Sequence, residues 1–227
     1  MRNPIPNESG FVPPPDWALS RPKSVLRALI DFCGSPLRLI AFPDSISERW
    51  GLTSARCERF AQVLPELRGR VLDIGAGDNT LLRLYERRQG STNSIGVDVV
   101  DWGGGCVTLP SVSHLPFPDG SFDTVSFIAC LNHIPERAVA LTEAHRVLVP
   151  GGRVVLTMIN RFIGTIGHFL WWHGEDRHRH VAEGETGGLD HNEMLALLSQ
   201  ANFTNLRSRK FAYRLNCLYI AERAKTT

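Results

Sequence analysis

What this chain lacks excludes several classes at once. It has almost no charge imbalance: 25 Lys and Arg face 23 Asp and Glu, a formal +2. That is too little to attract a polyanion, so no nucleic-acid partner is expected. It has no paired cysteines either, since Cys33, Cys57, Cys106, Cys130 and Cys217 lie far apart without a Cys-x-x-Cys. Neither a disulfide framework nor a zinc knuckle is suggested, and a reduced, cytoplasmic setting is expected. No long apolar run is uninterrupted, because Arg161 and His168 break the best one, so no transmembrane segment is expected. The start of the chain has no charged-then-apolar leader pattern. What remains is 227 residues, 43% hydrophobic and 21% charged. That suits one soluble domain with room for an appendage, and it leaves the oligomeric state open.

The informative stretch is Arg70 to Asp98. Val71-Leu72-Asp73-Ile74 reads as a buried parallel strand. Gly75-Ala76-Gly77 then turns the chain without Cβ bulk, so that backbone can approach a ligand. Leu81, Leu82, Leu84 and Tyr85 follow at helical spacing, and Ile95-Gly96-Val97 ends in Asp98. Strand, glycine turn, helix, strand and acid make a nucleotide-binding half of a doubly wound sheet, with the acid placed for ribose hydroxyls. The third glycine of a dinucleotide fingerprint is missing, and Thr80 stands there. Asp73 would oppose a pyrophosphate but suits an ammonium group. The ligand so described is a nucleoside with a cationic, phosphate-free tail, which S-adenosyl-L-methionine satisfies; other nucleotides remain open at this point.

Five prolines between Pro4 and Pro15 predict an extended arm over residues 1–22, followed by a helical cap over 23–69. In that cap, residues 24–42 are apolar and flanked by Arg21, Lys23, Arg27 and Arg38. Either they form a helix and turn packed over the sheet, or an amphipathic lid that makes peripheral contact with a membrane surface or a greasy acceptor. Ser45 to Glu48 has the form of a capping box, and Thr53 or Ser54 opens a helix ending near Pro65. Further on, Pro116 to Asp119 forces a loop before the strand Thr124–Ile128. Pro135 suits the first position of a helix from Glu136 to Leu148, Pro150-Gly151-Gly152 stops that helix, and Arg153 to Ile159 forms the next strand. Asp190 and Glu193 cap a late helix, and Phe203–Phe211 and Leu215–Ala221 close the chain as two strands.

RVLDIGAGD, IGVD, LPFPDGSFDTV, LNHI and EAHRVLVPGGRVVL, in that order and spacing, resemble the class I S-adenosylmethionine-dependent methyltransferases. The likeness is greatest to the small-molecule, type 11-like subgroup, and it covers roughly residues 70–160. It implies an α/β, Rossmann-like doubly wound sheet, mostly parallel with a C-terminal antiparallel hairpin and helices on both faces, over residues 70–227. It also implies S-adenosyl-L-methionine as cofactor and methyl transfer to a small or medium-sized acceptor. Carried over residue by residue, Asp73 receives the ammonium group, and Gly75, Ala76 and Gly77 line the tail. Asp98 binds the ribose and Val99 lies against the adenine. Ser113 and His114 stand where the family often has an acid near the adenine amino group, and Cys130 and Leu131 pass beneath the methionine part.

The acceptor is expected at an insertion over about 160–188, at the mouth of the site. His-rich residues 168–191 hold five of the eight histidines, without zinc-type spacing, so no metal is expected. This segment is either a solvated loop or an aromatic-walled acceptor pocket. His133, at the end of the fourth strand, is the first candidate for a general base, with His168 and His173 after it; packing on the cofactor explains His133 equally well. The competing functions are a nicotinamide (NAD)-dependent oxidoreductase on a similar sheet and a non-catalytic cofactor-binding module.

Overall fold

The computed structural model describes residues 13–167 and 183–225. Among them, β1 (Val71–Ile74), β2 (Ile95–Asp98), β3 (Val107–Thr108), β4 (Phe122–Ile128) and β5 (Leu148–Ile159) are parallel, and β6 (Phe203–Phe211) and β7 (Asn216–Arg223) form an antiparallel hairpin on β5. The sheet order is β3-β2-β1-β4-β5-β7-β6. Strand order therefore reverses between β1 and β4, and a doubly wound sheet opens its ligand crevice at the carboxyl ends there.

Alternation along the strands sorts the core into two layers. Leu72, Ile74, Val125, Phe127 and Leu156 face α6 (Arg137–Val147) and α8 (His191–Gln200), through Leu141, Ala144, Met194 and Leu198. Val71, Val155, Leu218 and Ile220 face α4 (Ala55–Val63) and α5 (Thr80–Gln89), through Phe60, Val63, Leu81 and Tyr85. The remaining helices are α1 (Asp16–Leu19), α2 (Val25–Cys33), α3 (Asp44–Arg49) and α7 (Arg161–Gly167). No described helix is long and apolar enough to cross a membrane.

Several local expectations need correction. The arm expected over residues 1–22 lies outside the described residues as far as residue 12; beyond it the chain is not extended throughout, because α1 packs on α4 and buries Ala18 and Leu19. Helix α2 does not lay its apolar side on the sheet: Asp31 is its buried residue, while Val25, Leu26, Leu29 and Phe32 are exposed. Helix α3 begins at Asp44 after Pro43 with no side-chain cap, and Glu48 turns away to accept from Ser54 Oγ at 2.8 Å. Ser54 is the cap of α4, accepting from Cys57 N. Pro135 precedes the first turn of α6, which starts at Arg137. Pro150-Gly151-Gly152 does not end that helix; Val147 does, and the triplet forms a bulge inside β5, where the register with β4 slips. Gly151 sits there at φ +78°, a conformation glycine adopts freely. Asp190 makes no side-chain cap on α8, and Glu193 pairs with Arg161 at 2.6 Å instead.

Candidate cofactor and acceptor site

The crevice is built from strand ends. β1 delivers Asp73, whose parallel neighbour on β4 is Ser126. Ser126 Oγ donates to Asp73 Oδ1 at 2.6 Å. Burial pushes the Asp73 carboxyl up to about 7, Ser126 pulls it back down in part, and the charge of Asp98 adds to the rise. This carboxyl has no cationic partner among the described residues.

The turn after β1 holds its shape through β2. Gly75 N and Ala76 N donate to Val97 O at 2.9 and 3.1 Å, and Gly77 N donates to Asp98 Oδ2 at 2.9 Å. Asp98 Oδ1 accepts from Val100 N at 3.1 Å, which locks the carboxylate at the strand end while leaving each oxygen a further lone pair. Gly75 and Gly77 are glycines for different reasons. At Gly75 (φ +71°) a Cβ would come within 2.6 Å of Cys130 Cβ, so the glycine admits Cys130 from β4. At Gly77 (φ +56°) a Cβ would meet nothing within 4 Å, so open space lies beside this backbone.

Cys130 Sγ donates to Ile74 O at 2.9 Å and Cys106 Sγ to Gly77 O at 3.2 Å. Burial, then the carboxylates of Asp73 and Asp98, push the Cys106 thiol up to about 12 and raise that of Cys130 as well. Neither is a thiolate nucleophile at neutral pH.

Of the remaining predicted residues, Val99 is 52% exposed just past Asp98, available to a flat ligand face. Ser113 N donates to Ser111 Oγ at 3.0 Å. His114 is a surface side chain 3.9 Å from Glu143, outside the cluster of strand ends. Leu131 is fully buried in the core, so only its backbone is available to a ligand. His168 and His173 lie outside the described residues, as does most of the insertion.

His133 closes the Leu131–His133 turn after β4. Its Nδ1 stands 3.0 Å from Glu185 Oε2 and its Nε2 3.1 Å from Asn132 Nδ2. An ionised carboxylate only accepts, so Nδ1 carries the proton and Nε2 faces the Asn132 amide. Asn132 also donates to Thr186 O at 2.9 Å, which ties the strand end to residues 183–188. Both ring nitrogens are thus already engaged, and His133 is no freely presented base.

Sequence reasoning missed four participants. Ser126 was legible in principle, as the one hydroxyl in an otherwise apolar stretch, Val125-Ser126-Phe127. Asn79 stands in the left-handed region at φ 61° before α5, and its buried Oδ1 has no partner among the described residues. Arg56 reaches from α4 to Asp78 in the glycine turn at 3.1 Å, a contact set by how the cap folds back. Glu185 became visible only with its partner His133.

The acidic set Asp73 and Asp98, the unpartnered Asn79 acceptor and the open side of Gly77 fit a ligand that brings hydroxyls and a cation. Comparison with known proteins decides its kind: the chain matches the methyltransferase domain family over residues 48–208. It belongs to that family. The match begins in α3, so the family's domain takes in α4 ahead of the first strand.

The chain is 30% identical to a ubiquinone/menaquinone biosynthesis C-methyltransferase of Geobacter sulfurreducens, over 52% of this chain and 50% of that protein. It is 29% identical to 27-O-demethylrifamycin SV methyltransferase of Amycolatopsis mediterranei, over 51% of this chain and 54% of that protein. It thus spans about half the length of these relatives. Among solved structures, a SAM-dependent methyltransferase of Thermotoga maritima superposes with a TM-score of 0.55 at 17% identity, covering 85% of this chain and 99% of that one. S-adenosyl-L-methionine is the cofactor this membership implies, and the nicotinamide alternative gains no support.

Proposed function

We propose that this methyltransferase domain transfers a methyl group from S-adenosyl-L-methionine to a small-molecule acceptor, at the carboxyl edge of the sheet beside His133 and Glu185. The observation that carries the reading is the pairing of an under-neutralised Asp73 with a backbone-locked Asp98 across an open glycine turn. Bound there, the cofactor supplies a methyl carbon already activated by its sulfonium. The chain's task is therefore alignment more than activation.

In this reading Asp73 takes the ammonium group and Asp98 the ribose hydroxyls. Gly77 leaves room for the ligand at the turn, and Val99 covers the adenine. His133 receives a proton only from an acceptor whose O–H or N–H displaces the Asn132 contact at Nε2, with Glu185 holding the ring and stabilising the imidazolium. A carbon acceptor needs no such step. The two curated relatives bear a C- and an O-methyltransferase name, so the acceptor atom is a matter for experiment. The cytoplasm is the compartment we infer, from five cysteines that are all free thiols.

Calorimetric titration with S-adenosylmethionine and S-adenosylhomocysteine, beside NAD and an Asp98→Ala variant, tests the site. Micromolar binding of the first two, lost in the variant, is the expected result; binding of NAD alone sinks the proposal. Mass spectrometry of an acceptor gaining one methyl group then separates an enzyme from a non-catalytic module.

A further inference from the structure

Helix α2 is built inside out. On a helical wheel Val25, Leu26, Leu29, Ile30 and Phe32 share one arc, and Arg27 and Asp31 stand opposite. The apolar arc is the outer one: Val25 is 79% exposed, Leu26 69%, Leu29 57% and Phe32 62%, whereas Asp31 is 1% exposed.

The polar side is held down by bonds. Asp31 accepts from Thr53 N at 3.1 Å and Thr53 Oγ1 at 2.6 Å, and it pairs with Lys23. Arg38 Nε donates to Asp31 O at 2.8 Å, while its Nη1 donates to Thr53 O at 2.7 Å and Glu58 Oε1 at 2.9 Å. Rolling α2 to hide its apolar arc would strand these buried charges, a far larger penalty than the exposure it relieves. The outward face is therefore a fixed property of the fold.

Its surroundings indicate what covers it. The half-exposed Tyr213 is edge-on to Phe32 of the arc, and Trp50, 67% exposed and edge-on to Phe42, stands next to Gly51, whose carbonyl accepts from Arg27 of α2. Rings of this kind, apolar in body and polar at one end, favour the headgroup level of a bilayer. Of the nearby acids, Asp31 and Glu58 are buried, Asp44 and Glu48 are part-buried and bonded to Arg56, and Asp16 is exposed; the cations are the exposed Arg49 and Arg214, with Arg27, stacked 3.6 Å over Trp17, part-exposed. Helix α7 packs on the Leu37–Ala41 turn and adds Phe162, 71% exposed. Apolar side chains rimmed by amphipathic aromatics, with the exposed cations Arg49 and Arg214 and the part-exposed Arg27 against one fully exposed acid, Asp16, complement an anionic lipid surface.

We propose that the outer face of α2, with Trp50 and Tyr213 at its rim, seats this protein on the interfacial region of an anionic lipid bilayer. The contact is independent of the transfer reaction and needs no cofactor. Flotation of the full chain with phosphatidylcholine vesicles, with and without phosphatidylglycerol, tests it. The wild type is expected to float with the anionic vesicles. Leu26→Ser with Leu29→Ser should lower that partition about tenfold or more, with the melting temperature and S-adenosylhomocysteine affinity unchanged, because both side chains project into solvent. Leu26→Trp should raise it.

A wild type that stays unbound with both vesicles, or a double variant that floats equally well, overturns the proposal. So does a dimer in light scattering that the double variant dissolves while no vesicle binding occurs, since the face then belongs to a second copy of the chain. Flotation that persists in a protein unable to bind S-adenosylhomocysteine supports the docking face and counts only against the methyl-transfer reading.

Discussion

Two buried carboxylates in this molecule meet opposite treatment. Asp31, under α2, is surrounded by donors: burial raises its carboxyl, but Lys23 and Thr53 more than offset that and leave it below the ordinary carboxylate value. Asp73, at the end of β1, has Ser126 as its hydroxyl donor and is pushed up to about 7 by burial and by Asp98. The first acid is complete and serves the fold. The second is short of positive charge among the described residues, and in the proposed function the cofactor's ammonium group supplies it. A buried acid is thus best interpreted by whether its partners neutralise it, since burial alone is common to both.

The largest test of this contrast removes the neutralising side. Arg38→Met leaves Asp31 and Glu58 buried with less compensation, at a cost of about 3–5 kcal/mol, so calorimetry should show a melting temperature lower by roughly 10 °C. An unchanged melting temperature would mean that the cluster is not what holds the cap.

A smaller effect of opposite sign is expected at the cofactor edge. Because the folded Asp73 pKa, about 7, exceeds its ordinary 3.8, the folded chain binds more protons than the unfolded one between those values. Ligand-free stability therefore falls as pH rises from about 4 through 7, and the loss is complete above that. Asp73→Asn removes the penalty. At pH 8 it should raise the ligand-free melting temperature by several degrees, while weakening S-adenosylmethionine binding. In the wild type, affinity for S-adenosylmethionine should rise between pH 6 and 8 as the carboxylate form takes over. A flat profile would detach Asp73 from the ammonium group.

The smallest effect sits where the two regions meet. Arg56 links α4 to Asp78 in the glycine turn at 3.1 Å and leans on Glu48 at 3.4 Å, all partly exposed. Arg56→Ala should cost little stability, as exposed pairs do, yet weaken cofactor binding about threefold by freeing the turn. Titration and a thermal melt on the same sample separate the two outcomes.

Much of the carboxyl edge of the sheet is legible in the sequence, because a strand, a glycine turn and a second strand ending in an acid are local features. The places of Asp73, Gly75, Gly77 and Asp98 at the strand ends and the turn were legible that way, and so were the closing strands near Phe203 and Asn216. The local logic failed where partners come from far along the chain. Pro150-Gly151-Gly152 reads as a helix stop, but pairing with β4 draws it into β5 as a bulge. Glu143 and Arg146, one turn apart on α6, pair at 2.8 Å. They also hold the loop before β4, through Leu115 N at 2.8 Å and Phe117 O at 2.9 Å, which spacing on a helix does not reveal. His133 stands at the strand end as expected, but Glu185 and Asn132, not its position, decide what its nitrogens can do.

The sequence by itself determined the doubly wound sheet, the place of its crevice and the acids that line it, because periodicity and glycine turns act over a few residues. The tertiary structure alone decided which way α2 faces, that Asp73 stays under-neutralised and that His133 is clasped. Each of these depends on a charge or hydroxyl brought from a distant segment, and the cost of burying a charge is set by that partner and not by the residue itself.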